Sequence, residues 1–513
     1  MQNYLPRISS TAPSRAEAPP PRGPHGPLRE ASTGHAQLDP VTLVPVPSKG
    51  APREASLAAR ESHLRVIQDI SGGLCDQETD IPDGLSACLS EMSRMTPGQH
   101  IAHQRRCLRQ LRSASSRLAA EDRRVLGEAP PTVRAVLSAA SPSGFRVSLI
   151  KEYMELISHP DAEDLSRDLR AGFPLVGPIP VSPVAPEATV RTAKFPASEL
   201  PERTSAIATG LINQHRAPPR GPDALAAELE ILSQTKEDIS LGRMGPLRAL
   251  GSGGTGPPYT RRFGVTQTSS HGKTKLRCID DFAQSLLNDS VSVGRRIRMG
   301  RISDLVEAAR RLKRTQPDTP LHVLKSDFKA AYRSCPILPE HVSLVNILVR
   351  DPESGELYVL AQHAMPFGAV SAVYAWDRLG DALTSILQKV FLFPASRYVD
   401  DLFMPLWSTH ASESRRILLE VISIFGATLA PDKTPEPGRS VPVLGVSVTI
   451  HPGLVELSIE GDRIEFWLGE LARLKGLRGA RLHHLALRMV GRLEFAAAAA
   501  WGAPPRSRFN GLY

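Results

Sequence analysis

A chain of 513 residues exceeds one ordinary hydrophobic core, so two or three domains, or one domain with extensions, are expected. Hydrophobic residues at 41% and charged residues at 22% suit a soluble globular protein with room for disordered parts. A formal net charge of +9 and a pI near 9.4 point to an anionic partner, of which nucleic acid is the commonest kind.

The opening segment, MQNYLPRISSTAPSR, lacks the apolar centre of a signal peptide. Residues 1–57 are rich in Pro, Ala, Ser and Arg without an apolar period, and are expected to be disordered. Helical patterns recur over 58–172, best between Ile101 and Leu126 and again between Phe145 and Ile157, with no function legible in them. Cys75, Cys88, His103 and Cys107 are too unevenly spaced for a zinc finger. With Cys278 and Cys335 they make five cysteines, an odd number that argues against a disulfide framework and for a reducing compartment. The Pro-rich stretch 173–222 reads as a linker or extended arm.

A different texture begins near 223. A helix is expected over 224–242, then strands at 261–265, 275–280, 321–328, 343–349 and 357–361. Helices fall at 302–314, 370–390 and 411–426, and a further strand-like run covers 441–450. The order predicts an α+β domain. Beyond it, 462 to about 500 reads as two helices joined near Gly476 and Gly479, with Asp462 and Glu465 as a capping-box start. Ile464, Trp467, Leu468, Leu471 and Leu474 supply the apolar stripe of the first. No run of about 18 apolar residues exists to span a membrane, so an intracellular protein, cytoplasmic or nuclear, is expected.

Two segments carry chemistry. In Tyr398-Val399-Asp400-Asp401-Leu402-Phe403-Met404, apolar strand-like runs flank adjacent aspartates, the pattern of a β-hairpin with carboxylates at its turn. In Lys325-Ser326-Asp327-Phe328, an apolar strand delivers a further carboxylate at its end. Alone, either could be a solvated turn or a helix cap. Together they place three carboxylates on strand ends, as a pair of magnesium or manganese ions requires.

With these residues the order of segments resembles reverse transcriptases of retrotransposons, with wording close to LTR-type or tyrosine-recombinase-type elements. Asp327 matches the family's first carboxylate segment, and Met365-Pro366-Phe367-Gly368 its substrate-contact segment. Tyr398-Val399-Asp400-Asp401 matches Y-x-D-D, and Leu429 through Thr434 resembles the lysine segment. Val443-Leu444-Gly445-Val446 resembles the primer-grip hairpin, and Lys275 through Phe282 the fingers segment K-x-R-x-x-x-D-[FY].

The resemblance implies a right-hand polymerase, with fingers and an antiparallel palm over 223–452 and a thumb-like helical hairpin and tail over 453–513. It implies RNA-directed DNA synthesis from dNTPs on a primed RNA or DNA template, with two magnesium or manganese ions. Asp327, Asp400 and Asp401 would hold the metals, Asp401 least directly, and Lys433 would be the general acid for pyrophosphate. Arg277 with Lys273 or Lys275 would pair the triphosphate, and Phe328 would lend its backbone beside it. Tyr332 would be the steric gate against a 2′-hydroxyl, and Gly368 would allow close approach to the nucleotide. Phe367 stands where many retroviral enzymes carry Gln.

Arg481, Arg488 and Arg492 share one side of the last helix and would track template–primer phosphates. Tyr332 and Tyr398-Val399 favour DNA over RNA synthesis; an RNA-dependent RNA polymerase and a decayed element that only binds nucleic acid are the rival readings. Residues 451–513 hold one aspartate, Asp462, with Glu465 and Glu470 expected at solvent, so no RNase H site is expected there.

Overall fold

The computed structural model describes residues 81–141, 144–219, 221–251, 256–268 and 274–474, the backbone of 65–69, and residues 478, 483, 485–487 and 489–493. Residues 1–57, Cys75, Lys273, Gly476, Gly479, Arg481 and Arg488 lie outside this set.

The described chain opens with strand β1 (Arg65–Asp69) and six helices, α1 (Asp83–Ser93), α2 (Pro97–Arg117), α3 (Ala119–Glu128), α4 (Pro131–Ala139), α5 (Val147–Leu156) and α6 (Ala162–Ala171). A capping box starts α2, where Thr96 accepts from the Gln99 N–H and the Gln99 side chain accepts from the Thr96 N–H. Next come β2 (Gly177–Pro178), β3 (Glu187–Arg191), α7 (Leu200–Arg216), α8 (Pro222–Ser240), β4 (Arg248–Ala249), β5 (Tyr259–Thr268), β6 (Thr274–Asp280) and β7 (Val291–Arg295). The middle of the chain supplies α9 (Ile302–Thr315), β8 (Leu321–Asp327), α10 (Pro339–Val342), β9 (Asn346–Arg350), β10 (Leu357–Ala361) and α11 (Val370–Lys389). The remaining elements are β11 (Ser396–Tyr398), β12 (Asp401–Trp407), α12 (Ala411–Phe425), β13 (Ser440–Val443), β14 (Val446–Ile450), β15 (Leu454–Ser458) and α13 (Gly461–Leu474). The expected α+β mixture of helices and strands is therefore present.

A three-stranded antiparallel sheet, β11-β12-β8, holds the carboxylates. Both of its faces are covered, which is why β12 reads as an unbroken apolar run rather than an alternating one. Leu402, Met404, Leu406 and Leu324 enter one core cluster, whereas Phe403, Trp407, Leu321 and Val323 enter another. Pro405, unusual in a central strand, stands opposite Val323. The Val323 N–H and C=O instead bond Gly438 at 2.7 and 3.1 Å, so the missing proline N–H breaks no pairing there.

A five-stranded sheet, β4-β10-β9-β5-β6, carries the long β5–β6 hairpin, and a four-stranded sheet, β1-β15-β14-β13, packs on the second cluster. In the latter, Leu444 and Gly445 both take positive φ, the two-residue turn that suits a hairpin's twist.

Three expected boundaries are corrected. The helices of 83–171 are not a separate domain, because one core cluster runs from Ile101 through Phe173 and Leu324 to Leu429. Helix α2 packs on α12, α1 on α9, and α5 on α11. Residues 173–222 are not a linker: Phe173, Leu175, Val176 and Leu200 are buried, β2 and β3 pair with β7, and α7 lies on β5 and β9. The boundary at 452/453 cuts a sheet, since β15 pairs β14 from Ser458 opposite Ser447 to Val455 opposite Ile450. The proline content misled because prolines at turns leave the intervening apolar residues free to dock. Among the described residues no helix is long and apolar enough to cross a membrane.

Candidate active site

The hairpin β11–β12 turns through Val399 and Asp400, with Tyr398 paired to Asp401, and β12 pairs β8 so that Asp401 lies directly opposite Asp327. Residues directly opposed across a ladder point to the same face, so Asp327 and Asp401 share one side at the sheet's end. Val399 has φ +55°, a conformation costly for a β-branched residue and sustained only when neighbours enforce it. Here they do. The Val399 carbonyl accepts from the Trp376 indole at 2.8 Å and from Arg397 Nη1 at 2.9 Å, and the Asp400 carbonyl accepts from the Phe328 N–H at 2.9 Å. Arg397 is itself anchored by Asp377 at 2.6 Å, its guanidinium lying where a side chain at Gly380 would collide.

Two ammonium groups offset part of the charge of the three aspartates. Lys433 Nζ donates to both Asp327 oxygens at 2.9 Å, and Lys325 Nζ lies 3.3 Å from Asp401 Oδ1. Burial pushes the Asp327 carboxyl above its ordinary range, opposed by Lys433 and reinforced by Asp401. Asp400 is pushed up as well, by burial first and then by the charge of Asp327.

Among the described residues no group of three or more His, Cys, Asp or Glu side chains forms a ready-made metal cage. The donor set still suits a hard divalent ion, since magnesium needs only one or two carboxylates beside waters and phosphate oxygens. A cation bound beside them would offset the burial that chiefly raises Asp327 and Asp400, and the repulsion each receives from a neighbouring aspartate. Lys325 was not singled out from sequence, although its position two residues before Asp327 on a strand puts it on the same face.

Tyr332 lies beside this cluster, half-buried, its ring edge-on to Phe367 with centroids 5.4 Å apart. Burial, with a further contribution from Asp400, pushes its hydroxyl up to about 12. Phe328 turns its ring inward against Trp376, and its N–H is occupied by Asp400, so in this state it offers no free donor. Among the described backbone hydrogen bonds, none consumes the N–H of the following Ala330 or Ala331, and Ala330 has φ +55°.

Gly368 has φ +105°, and a Cβ there would fall 2.4 Å from the Asp280 carbonyl. The close approach that demands glycine is thus already accounted for within the protein. Lys275 and Arg277 stand exposed on β6. Asp280 turns inward to Arg262 at 2.8 Å, while the half-buried Asp281 caps the local turn by accepting from the Gln284 N–H at 3.0 Å.

At the C-terminal end, only Arg492 of the expected basic stripe is described. It lies over the Phe466 ring at 5.4 Å and 4.0 Å from Glu470. Glu470, expected at solvent, is only 7% exposed, with Arg473 at 3.0 Å and Arg492 at 4.0 Å from its carboxylate. Helix α13 begins at Gly461, so Asp462 sits inside the first turn rather than at the cap. The expected apolar stripe is half-buried at Ile464, Trp467, Leu471 and Leu474, but Leu468 is exposed.

No protein-family model matches this chain, and no curated protein matches it. Among solved structures it is similar to the foamy viral protease-reverse transcriptase in complex with an RNA/DNA hybrid, at 14% identity and a TM-score of 0.38. That alignment covers 72% of this chain and 42% of the other, so this chain spans less than half of its length, and the likeness is too distant to carry an inference.

Proposed function

We propose that the chain is an RNA-directed DNA polymerase of a retroelement, adding dNTPs to a primer 3′ end on an RNA or DNA template. One observation carries the reading: the ladder register that sets Asp401 opposite Asp327 while the strained turn between β11 and β12 presents Asp400. In this reading β8, β11 and β12 are the palm, the β5–β6 hairpin belongs to the fingers, and α13 with the helix containing Arg492 is the thumb.

Asp327, Asp400 and Asp401 would hold two magnesium or manganese ions. Bound there, the ions would activate the primer oxygen and stabilise the departing one in an in-line displacement at phosphorus. The protein's own groups do the rest. Lys433, half-exposed on its loop, releases Asp327 and is placed to give a proton to the leaving pyrophosphate. Lys325 neutralises Asp401. The Ala330 and Ala331 amides, with Arg277 and Lys275 (or Lys273) from the hairpin, bind triphosphate oxygens. Arg481, Arg488 and Arg492 would meet template–primer phosphates, with Arg492 leaving Glu470 to do so.

The test is primer extension by the purified chain on poly(rA)·oligo(dT) with dTTP and magnesium. DNA product is expected; a protein that binds the duplex without extending it would favour the decayed-element reading instead.

The proposed gate gives a second expected result. Tyr332→Ala should lower the dTTP/UTP ratio of kcat/KM at least about tenfold, because removing the ring removes a clash rather than a contact. An unchanged ratio would make Tyr332 a core residue only.

A further inference from the structure

Tyr332 and Phe367 meet ring to ring, and each is also tied, directly or through its neighbour in the chain, to elements outside the carboxylate sheet. Arg333, adjacent to Tyr332 and 6% exposed, donates to Asp238 Oδ2 on α8. Arg262 Nη1 lies 3.9 Å from the same oxygen and 3.0 Å from Thr235 Oγ1. The Arg262 fork closes on Asp280 at 2.8 and 3.1 Å. The Asp280 N–H in turn donates to the Phe367 carbonyl at 3.3 Å, and Phe367 returns to the Tyr332 ring. The contacts form a closed circuit joining β5, β6 and α8 to both aromatic rings.

We infer that this buried circuit positions Tyr332 against Phe367, and that Arg333 is a positioning residue for sugar discrimination. The inference rests on the polymerase reading. Tyr332 opens a short 3-10 turn that continues into Arg333 and Ser334, so its backbone is only as fixed as that turn. The guanidinium of Arg333 ties the turn to the helix behind it. A clash excludes the wrong sugar only when the clashing group cannot retreat, so the selectivity of a gate depends on the stiffness of its mounting.

The charges also indicate which change is informative. Arg243, Arg262 and Arg333 face Asp238 and Asp280, an excess of one positive charge, and Arg333 Nη1 has no hydrogen-bond partner. Burial and the neighbouring Arg262 and Arg243 oppose the charge of Arg333, with Asp238 and Asp280 favouring it. Arg333→Gln therefore leaves two arginines on two aspartates and cuts the tether without stranding a buried ion. Arg333→Lys keeps a cation for Asp238.

The experiment compares wild type, Arg333→Gln, Arg333→Lys and Tyr332→Ala, as full-length chains, by the dTTP/UTP ratio of kcat/KM and by thermal unfolding. Arg333→Gln should unfold near the wild-type temperature yet lose about tenfold in the ratio, chiefly through a lower KM for UTP, while Arg333→Lys stays within about threefold of wild type. An unchanged ratio in Arg333→Gln, with Tyr332→Ala reduced, would overturn the positioning role and leave the gate intact. A Gln variant that does not fold would make the circuit structural and overturn the role too. No effect in Tyr332→Ala would remove the gate itself, and no extension by wild type would remove the polymerase reading; either defeats the inference at its base.

Discussion

Asp400→Asn should reduce primer extension at least about 10³-fold, the scale of losing a preorganised charge at the reacting centre. The fold should be untouched, because the Asp400 group that holds its surroundings is the main-chain carbonyl bonded to the Phe328 N–H. Stability should hold or rise. Burial and Asp327 both push the Asp400 carboxyl up, so its charge is unfavourable in the folded chain without a bound cation, and the amide removes that charge. The measurement pairs extension with a thermal melt in chelator. More than a tenth of wild-type activity remaining would sink the assignment, and a large fall in melting temperature would mean that the lost activity reports unfolding.

The second large effect is on stability. Arg378, 1% exposed within α11, donates to Asp161 through Nε and Nη2, each at 2.8 Å, and to Asp168 through Nη1. Arg378→Met should cost about 3–5 kcal/mol, because it strands the buried Asp161 carboxylate and leaves Asp168 only the more exposed Arg167 at 3.3 Å. Replacing both aspartates as well, Asp161→Asn and Asp168→Asn, should restore much of the loss, since the interior then contains no unpaired charge. Urea unfolding of the single and triple variants tests this. A single-variant loss below about 1 kcal/mol would mean that water or a neighbour compensates both carboxylates.

What the sequence made legible was local. The strands of 321–328 and 357–361 and the helices of 302–314, 370–390 and 411–426 fall within a residue or two of their expected bounds, because each carries its own apolar period. The candidate aspartates were legible as strand-end carboxylates, and the register places Asp327 and Asp401 face to face. What stayed hidden was set by partners distant in sequence. Nothing near Phe173 or Leu200 announces the shared core they enter, and prolines in that stretch masked the buried residues between them. Gly368 was read through the ligand, although the Asp280 carbonyl already requires a residue without a side chain. Glu470 looked like a surface glutamate until Arg492, from the next helix, was brought against it.

The pairing of α2 with α12 also has a consequence for synthesis. Arg105 on α2 bonds Glu413 at 2.7 and 2.6 Å across 308 residues of chain. At about 5–20 residues per second, a ribosome takes roughly 15–60 s to deliver that partner, far longer than helices and local collapse need to form. During that interval the α2 face bearing Leu108 and Leu111 has none of its final α12 neighbours. The nascent N-terminal helices therefore wait for this partner, with that face uncovered by it, until α12 leaves the exit tunnel.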